Sequence, residues 1–151
     1  MAIEESFNRA GLNTKIAGDI QVALWMKFLF IASFSGVGAI AKAPAGVLRG
    51  DPELRAEMLR AMREIYELAH ARNVVLPPDA IETVMASIDA LPAEATSSMQ
   101  RDIAAGKPSE LESQNGAVVR MAHDAGIRVP THESIYEALK PLEAIARSQM
   151  N

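Results

Sequence analysis

Cysteine is absent from the chain. This excludes a disulfide framework and any thiolate metal site, and it makes the reducing cytoplasm the default compartment. Histidine is scarce. His70, His123 and His132 form no HExxH or other ligand pair, so metal catalysis is not expected. Each lies in a polar stretch and reads as a surface residue. No lysine and arginine cluster marks a nucleic-acid face, and the net charge is −4. The first residues, MAIEESFNRA, lack the basic and apolar regions of a signal peptide. Strand runs with clean alternation, repeats and low-complexity segments are missing too.

What is present is apolar and helical. The 151 residues are 49% hydrophobic, enough for one domain with a sizeable core. Residues 1–13 read as a tail or linker remnant. Asn13 or Thr14 is expected to cap a long helix running to about Phe34, with Gly36 and Gly38 loosening or ending it. Ile20–Ile40 is about as long as a membrane span, roughly 20 residues. It holds one charge, Lys27, and serines and glycines fill its second half, which favours a buried core helix. Asp51-Pro52 is a clear helix start, followed by an amphipathic helix over 52–71. On it Leu54, Met58, Met62, Ile65 and Leu68 face inward, while Glu53, Glu57, Arg60, Arg63, Glu64 and Glu67 face outward. A helix over about 79–90 puts Ile81, Val84, Met85 and Ile88 inside. Thr131 is expected to cap a last helix to about Ser148, with Ile135, Leu139, Leu142 and Ile145 inward. The fold class is therefore all-α, a multi-helix bundle with short links.

Thr96–Gly116 reads most like a site. Thr96 suits an N-cap and Gly106 the left-handed residue after a helix. Lys107-Pro108 stops that helix, and Ser109 can cap the next, expected from about residue 110 to His123 and closed by Gly126. A hydroxyl, Ser98, and a carboxylate, Glu110, then share one rim, although caps alone would explain the same letters. Asn115-Gly116 inside a helical pattern marks close approach of another helix or a ligand. Lys27, between Trp25-Met26 and Phe28-Leu29-Phe30, either snorkels to the surface or is partly buried, and burial would suit acid–base work. Ile31 and Ser35 follow it on the same helix face. Gly36-Val37-Gly38-Ala39-Ile40-Ala41 matches a dinucleotide fingerprint in letters only. No strand leads into it, Pro44 and Gly46 interrupt the helix that should follow, and Asp51 comes too early for the acidic partner.

Taken in order, several stretches resemble the C-terminal domain of the ketopantoate reductase (2-dehydropantoate 2-reductase) family. They are Ala10-Gly11, Asp19-Ile20, Leu24-Trp25-x-Lys27, Thr96-Ser97-Ser98-Met99-x-x-Asp102-Ile103 and Gly106-Lys107-x-x-Glu110-Leu111-Glu112. Asn115-Gly116, Gly126-Ile127-x-Val129-Pro130 and Tyr136-x-x-Leu139-Lys140 complete the series. The resemblance implies a helical domain of the 6-phosphogluconate dehydrogenase C-terminal type over residues 14–151. It also implies a Rossmann domain that binds NADPH and lies outside this chain, so that the isolated chain is expected to be inactive. The implied reaction reduces a small 2-keto acid to a 2-hydroxy acid in pantothenate synthesis. Lys27 is implied as the catalytic lysine, Ser98 as a substrate contact, and Glu110 as a contact to substrate or cofactor. Ile31, Ser35 and Ala45 stand where better-known members carry substrate asparagines; Ser35 keeps a hydroxyl for substrate there. Ketopantoate itself is thus open as the substrate. A cytoplasmic location and a homodimer fit this reading, with no membrane or nucleic-acid partner. The competing reading is a non-enzymatic helical dimerisation module, built on the apolar first helix.

Overall fold

Asp19 sets the start of the central helix. Its carboxylate accepts the N–H groups of Gln21 (2.8 Å) and Val22 (3.3 Å), capping α2, Ile20–Ala41. The computed structural model describes residues 2–13 and 18–149. Thr14, one of the two expected caps, lies outside the described residues; Asn13 is not the cap. The stretch expected to be a tail carries a short helix, α1, Ala2–Arg9. Among the described residues seven helices follow it: α2, then α3 (Ala45–Gly50), α4 (Pro52–Ala71), α5 (Ala80–Asp89), α6 (Ser98–Ala104), α7 (Asn115–Ala125) and α8 (Pro130–Ser148). Among the described residues there is no strand, so the all-α expectation holds.

α2 touches every helix from α3 to α8. It does not stop at Phe34, as the glycines suggested, but runs through Gly36 and Gly38. Those glycines are there for space. A Cβ on Gly36 would lie 2.5 Å from Asn115 Nδ2 of α7, and one on Gly38 would lie 2.8 Å from Gln100 Oε1 of α6. The helix ends at Lys42, whose left-handed backbone (φ 51°) returns its N–H to Gly38 O. By length and composition α2 could cross a membrane. Here its second half is core: Leu29 and Ala32 through Ala39 are buried. Its first half leaves Ile20 and Leu24 more than half exposed.

α4 keeps the expected bounds. Asp51 accepts from Glu53 N (2.8 Å) and Leu54 N (3.1 Å), and Pro52 takes the first helical position. Met58, Met62, Ile65 and Leu68 are fully buried. Glu64, expected outside, is buried. Its carboxylate accepts the N–H groups of Thr131 (2.7 Å) and His132 (3.0 Å), the free donors at the start of α8. Thr131 therefore does not cap α8; a residue 67 positions away does. On α8 itself, Leu142 and Ile145 are exposed, while Glu143 and Ala146 turn inward beside Ile135 and Leu139. At about 100° per residue, a step of four from Leu139 stays nearer its face than a step of three. α7 starts at Asn115 rather than near 110, because residues 110–114 form a turn. Gly126 closes α7 in the left-handed region (φ 68°), as expected.

Candidate active site

The segment between α6 and α7 puts a hydroxyl beside a carboxylate. Ser97, not Thr96, caps α6, accepting Gln100 N–H at 3.1 Å. Thr96 instead accepts from Arg101 Nη1, on both its carbonyl and its hydroxyl oxygen. Ser98 then occupies the first helical position with its hydroxyl outward. Gly106 (φ 65°) reverses the chain, and Lys107 N–H closes onto Asp102 O at 2.9 Å. Glu110 comes back across from Ser98, whose Oγ donates to Oε1 and Oε2 at 3.4 Å each. The contact is long and shared between two acceptors, and both residues are exposed. Such loose bonds are common where a ligand normally tightens the geometry.

Lys27 lies on α2, exposed, and makes no side-chain hydrogen bond or ion pair among the described residues. It is at the surface, so of the two readings of this lysine the buried one does not apply. Four residues on, Ile31 is half-buried. Four further, Ser35 has no exposed surface and its hydroxyl has no hydrogen-bond partner among the described residues. The face that begins in solvent at Lys27 thus ends in the core. Ala45 is also fully buried, its N–H donating to Ala95 O at 2.9 Å. The structure brings Ser98 and Glu110 together; no hydrogen bond or ion pair joins Lys27 to either. A groove of about 440 Å³ runs beside the first half of α2, lined by Trp25, Phe28, Arg72, Ser113 and Met121 among others, and includes none of the three.

The histidine expectation is corrected for one of the three. His70 and His123 are exposed, but His132 is fully buried. Ala61 O can only accept, so Nε2 carries the ring proton and donates to it at 3.1 Å, while Nδ1 accepts from Asn115 Nδ2 at 3.0 Å. Asn115 Nδ2 also donates to Ala32 O at 3.2 Å, tying the start of α7 to α2. Burial lowers the His132 pKa to about 4, against a smaller opposing pull from the Ala61 carbonyl. Glu143, which holds the turn before Glu110, had only its i,i+4 pairing with Arg147 as a signal in the sequence.

Residues 19–143 match the family model described as ketopantoate reductase PanE/ApbA C terminal. The chain belongs to this family. Among relatives of the ketopantoate reductase domain, the 2-dehydropantoate 2-reductase of Pyrobaculum aerophilum is 28% identical over 146 residues, covering 97% of this chain and 52% of that protein. A PanE/ApbA family ketopantoate reductase from Ralstonia eutropha JMP134 superposes with a TM-score of 0.86 at 27% identity, over 97% of this chain and 49% of that one. A D-mandelate dehydrogenase solved with NADH and anilino(oxo)acetate shares the fold, with a TM-score of 0.85 at 18% identity over 97% of this chain and 48% of that one. The chain spans about half the length of the curated relatives it matches.

Proposed function

We propose that this ketopantoate reductase domain is the substrate side of a two-domain NADP-dependent oxidoreductase that reduces a small 2-keto acid to a 2-hydroxy acid. The observation that carries the reading is the Ser98–Glu110 hydrogen bond within a chain of this family. Family membership gives no support to the competing reading, an association module without chemistry.

The dinucleotide fingerprint matched in letters does not form a binding turn here. The two-glycine stretch is the interior of α2, its glycines filled by Asn115 and Gln100, and no strand leads into it. In this reading an N-terminal Rossmann domain would chiefly hold the dinucleotide, with Glu110 reaching its edge, and the reduced form, NADPH, would supply the hydride. What falls to this chain is the proton and the pose. Lys27 is the proposed catalytic residue: an unpartnered ammonium is free to hydrogen-bond the ketone oxygen and donate the proton as negative charge develops there. Glu110 accepts the Ser98 hydroxyl hydrogen bond, which leaves the Ser98 oxygen lone pairs aimed at a donor on the ligand. Ser35 is closed off in this arrangement, so its proposed contact with substrate needs α2 to open locally. Ile31, Ser35 and Ala45 lack the amide groups expected to hold ketopantoate, so the substrate class is kept at small 2-keto acids. A cytoplasmic location and pairing with a second copy belong to the same proposal.

The test is reduction of ketopantoate and a panel of 2-keto acids by the full-length two-domain protein, with NADPH and NADH compared. Lys27→Ala is expected to lower kcat by about 100-fold or more, the usual range for a lost general acid. Inactivity of the wild-type protein on every 2-keto acid, or full activity of Lys27→Ala, would falsify the reading.

A further inference from the structure

Glu110 is exposed and Ser98 is its side-chain partner, yet the residues around it are tightly held. One residue earlier, Ser109 gives its backbone N–H to both oxygens of Glu143 on α8, at 3.1 and 3.0 Å, and its hydroxyl to Oε2 at 2.7 Å. The Ser109 oxygen in turn accepts Leu111 N–H at 3.2 Å. Arg147, one turn beyond Glu143, bonds Glu143 Oε1 at 2.7 Å and the Ser109 carbonyl at 3.2 Å. Leu111, the next residue after Glu110, is 1% exposed. At the following position Glu112 accepts from the Tyr136 hydroxyl at 2.7 Å and pairs with Arg120, which also bonds the Glu112 carbonyl at 2.9 Å.

Glu143 is only 7% exposed. A carboxylate this deep is costly unless its oxygens are hydrogen-bonded, and among the described residues its partners are Ser109 and Arg147. We propose that Glu143 is a positioning residue: through Ser109 it fixes where the Glu110 carboxylate stands, and so which way the Ser98 hydroxyl points. The proposal rests on reading Ser98 and Glu110 as ligand contacts. At 3.4 Å the Ser98–Glu110 bond is already at the limit of range, so a small outward shift of the turn breaks it. Lys27 lies on a different helix and is untouched by that shift. Loss of Glu143 therefore weakens substrate binding and spares proton delivery, which is a split between KM and kcat.

The test uses the full-length enzyme. Glu143→Gln keeps the volume but turns an amide donor toward the Ser109 donors. Amide hydrogen exchange at Ser109 and Leu111 is expected to quicken about tenfold or more, with the buried face of α4 unchanged. KM for the 2-keto acid rises about tenfold, kcat stays within about threefold, and the pH profile of kcat does not move. In a Ser98→Ala background, Glu143→Gln adds nothing further to KM, because the bond it protects is already gone. Ser109→Ala, which removes the 2.7 Å bond and the acceptor for Leu111 N–H but keeps the backbone bonds to Glu143, serves as the second variant and shows the same pattern if Glu143→Gln does not fold. Unchanged exchange in an active enzyme overturns the pinning. A KM increase of equal size with and without Ser98 overturns the positioning role and leaves Glu143 merely structural. A wild-type enzyme that reduces no 2-keto acid overturns the functional reading and, with it, the catalytic use of the turn, while the exchange data still decide whether Glu143 holds it.

Discussion

Gly36 has room for a hydrogen and nothing larger. The neighbour that an added methyl would meet, Asn115 Nδ2, is held by Ala32 O and His132 and cannot swing away cheaply. Gly36→Ala is expected to destabilise the protein by about 1–3 kcal/mol, the usual cost of overpacking. Gly50→Ala, at an α3 position where a Cβ meets nothing within 4 Å, should be neutral or slightly stabilising. Urea unfolding of the two variants separates them; equal stabilities would mean that α2 and α7 are not packed this closely. At this scale local chemistry was readable. Asp51 caps, and Gly106 and Gly126 are left-handed, because each requirement is set by neighbours in sequence. Ser35 and His132 were not readable, since a small polar side chain has the same letter in a core as on a surface.

Among the elements, α8 depends most on a distant partner. Its own cap position, Val129, offers no side-chain acceptor, and Glu64 from α4 takes the first-turn donors instead. Glu64→Ala leaves two buried N–H groups unpaired and removes a negative charge from a helix N-terminus. A loss of about 2 kcal/mol or more follows, with Glu64→Gln costing less because one acceptor remains. Thermal unfolding with the intact chain checks this, and faster amide exchange at Thr131 and His132 should accompany it; a Glu64→Ala protein as stable as the parent would remove Glu64 from this role. Helix bounds followed the same rule as the residues. α4 was legible because both its cap and its proline are local. The end of α2 was not, because whether a glycine breaks a helix or admits a neighbour depends on what packs there.

At the scale of the molecule, α2, α4, α7 and α8 meet around His132. The folded state holds that ring neutral, with a pKa of about 4 against 6.5 for an unburied histidine. Above pH 6.5 both states leave it neutral. As pH falls from 6.5 toward 4 the unfolded chain takes up a proton that the folded one refuses, so stability drops through that window. The full loss is about 3 kcal/mol, from roughly 1.4 kcal/mol per pKa unit. Urea midpoints measured across this range should show it, and His132→Gln should flatten the dependence. A slope unchanged by the substitution would assign the acid sensitivity to other groups.

The sequence by itself determined the helical class, the family and the Asp51 cap of α4, since periodicity, composition and capping act over a few positions. It also placed Ser98 and Glu110 on either side of a turn, where a short connection leaves few choices. Only the tertiary structure decided that Glu64 caps a helix 67 positions away, that Glu143 grips Ser109, and that His132 is core while Lys27 is open to solvent. Those outcomes come from which helix faces meet. Burial and long-range hydrogen bonds are set jointly by both partners, and neither partner's own neighbourhood in the chain records the other.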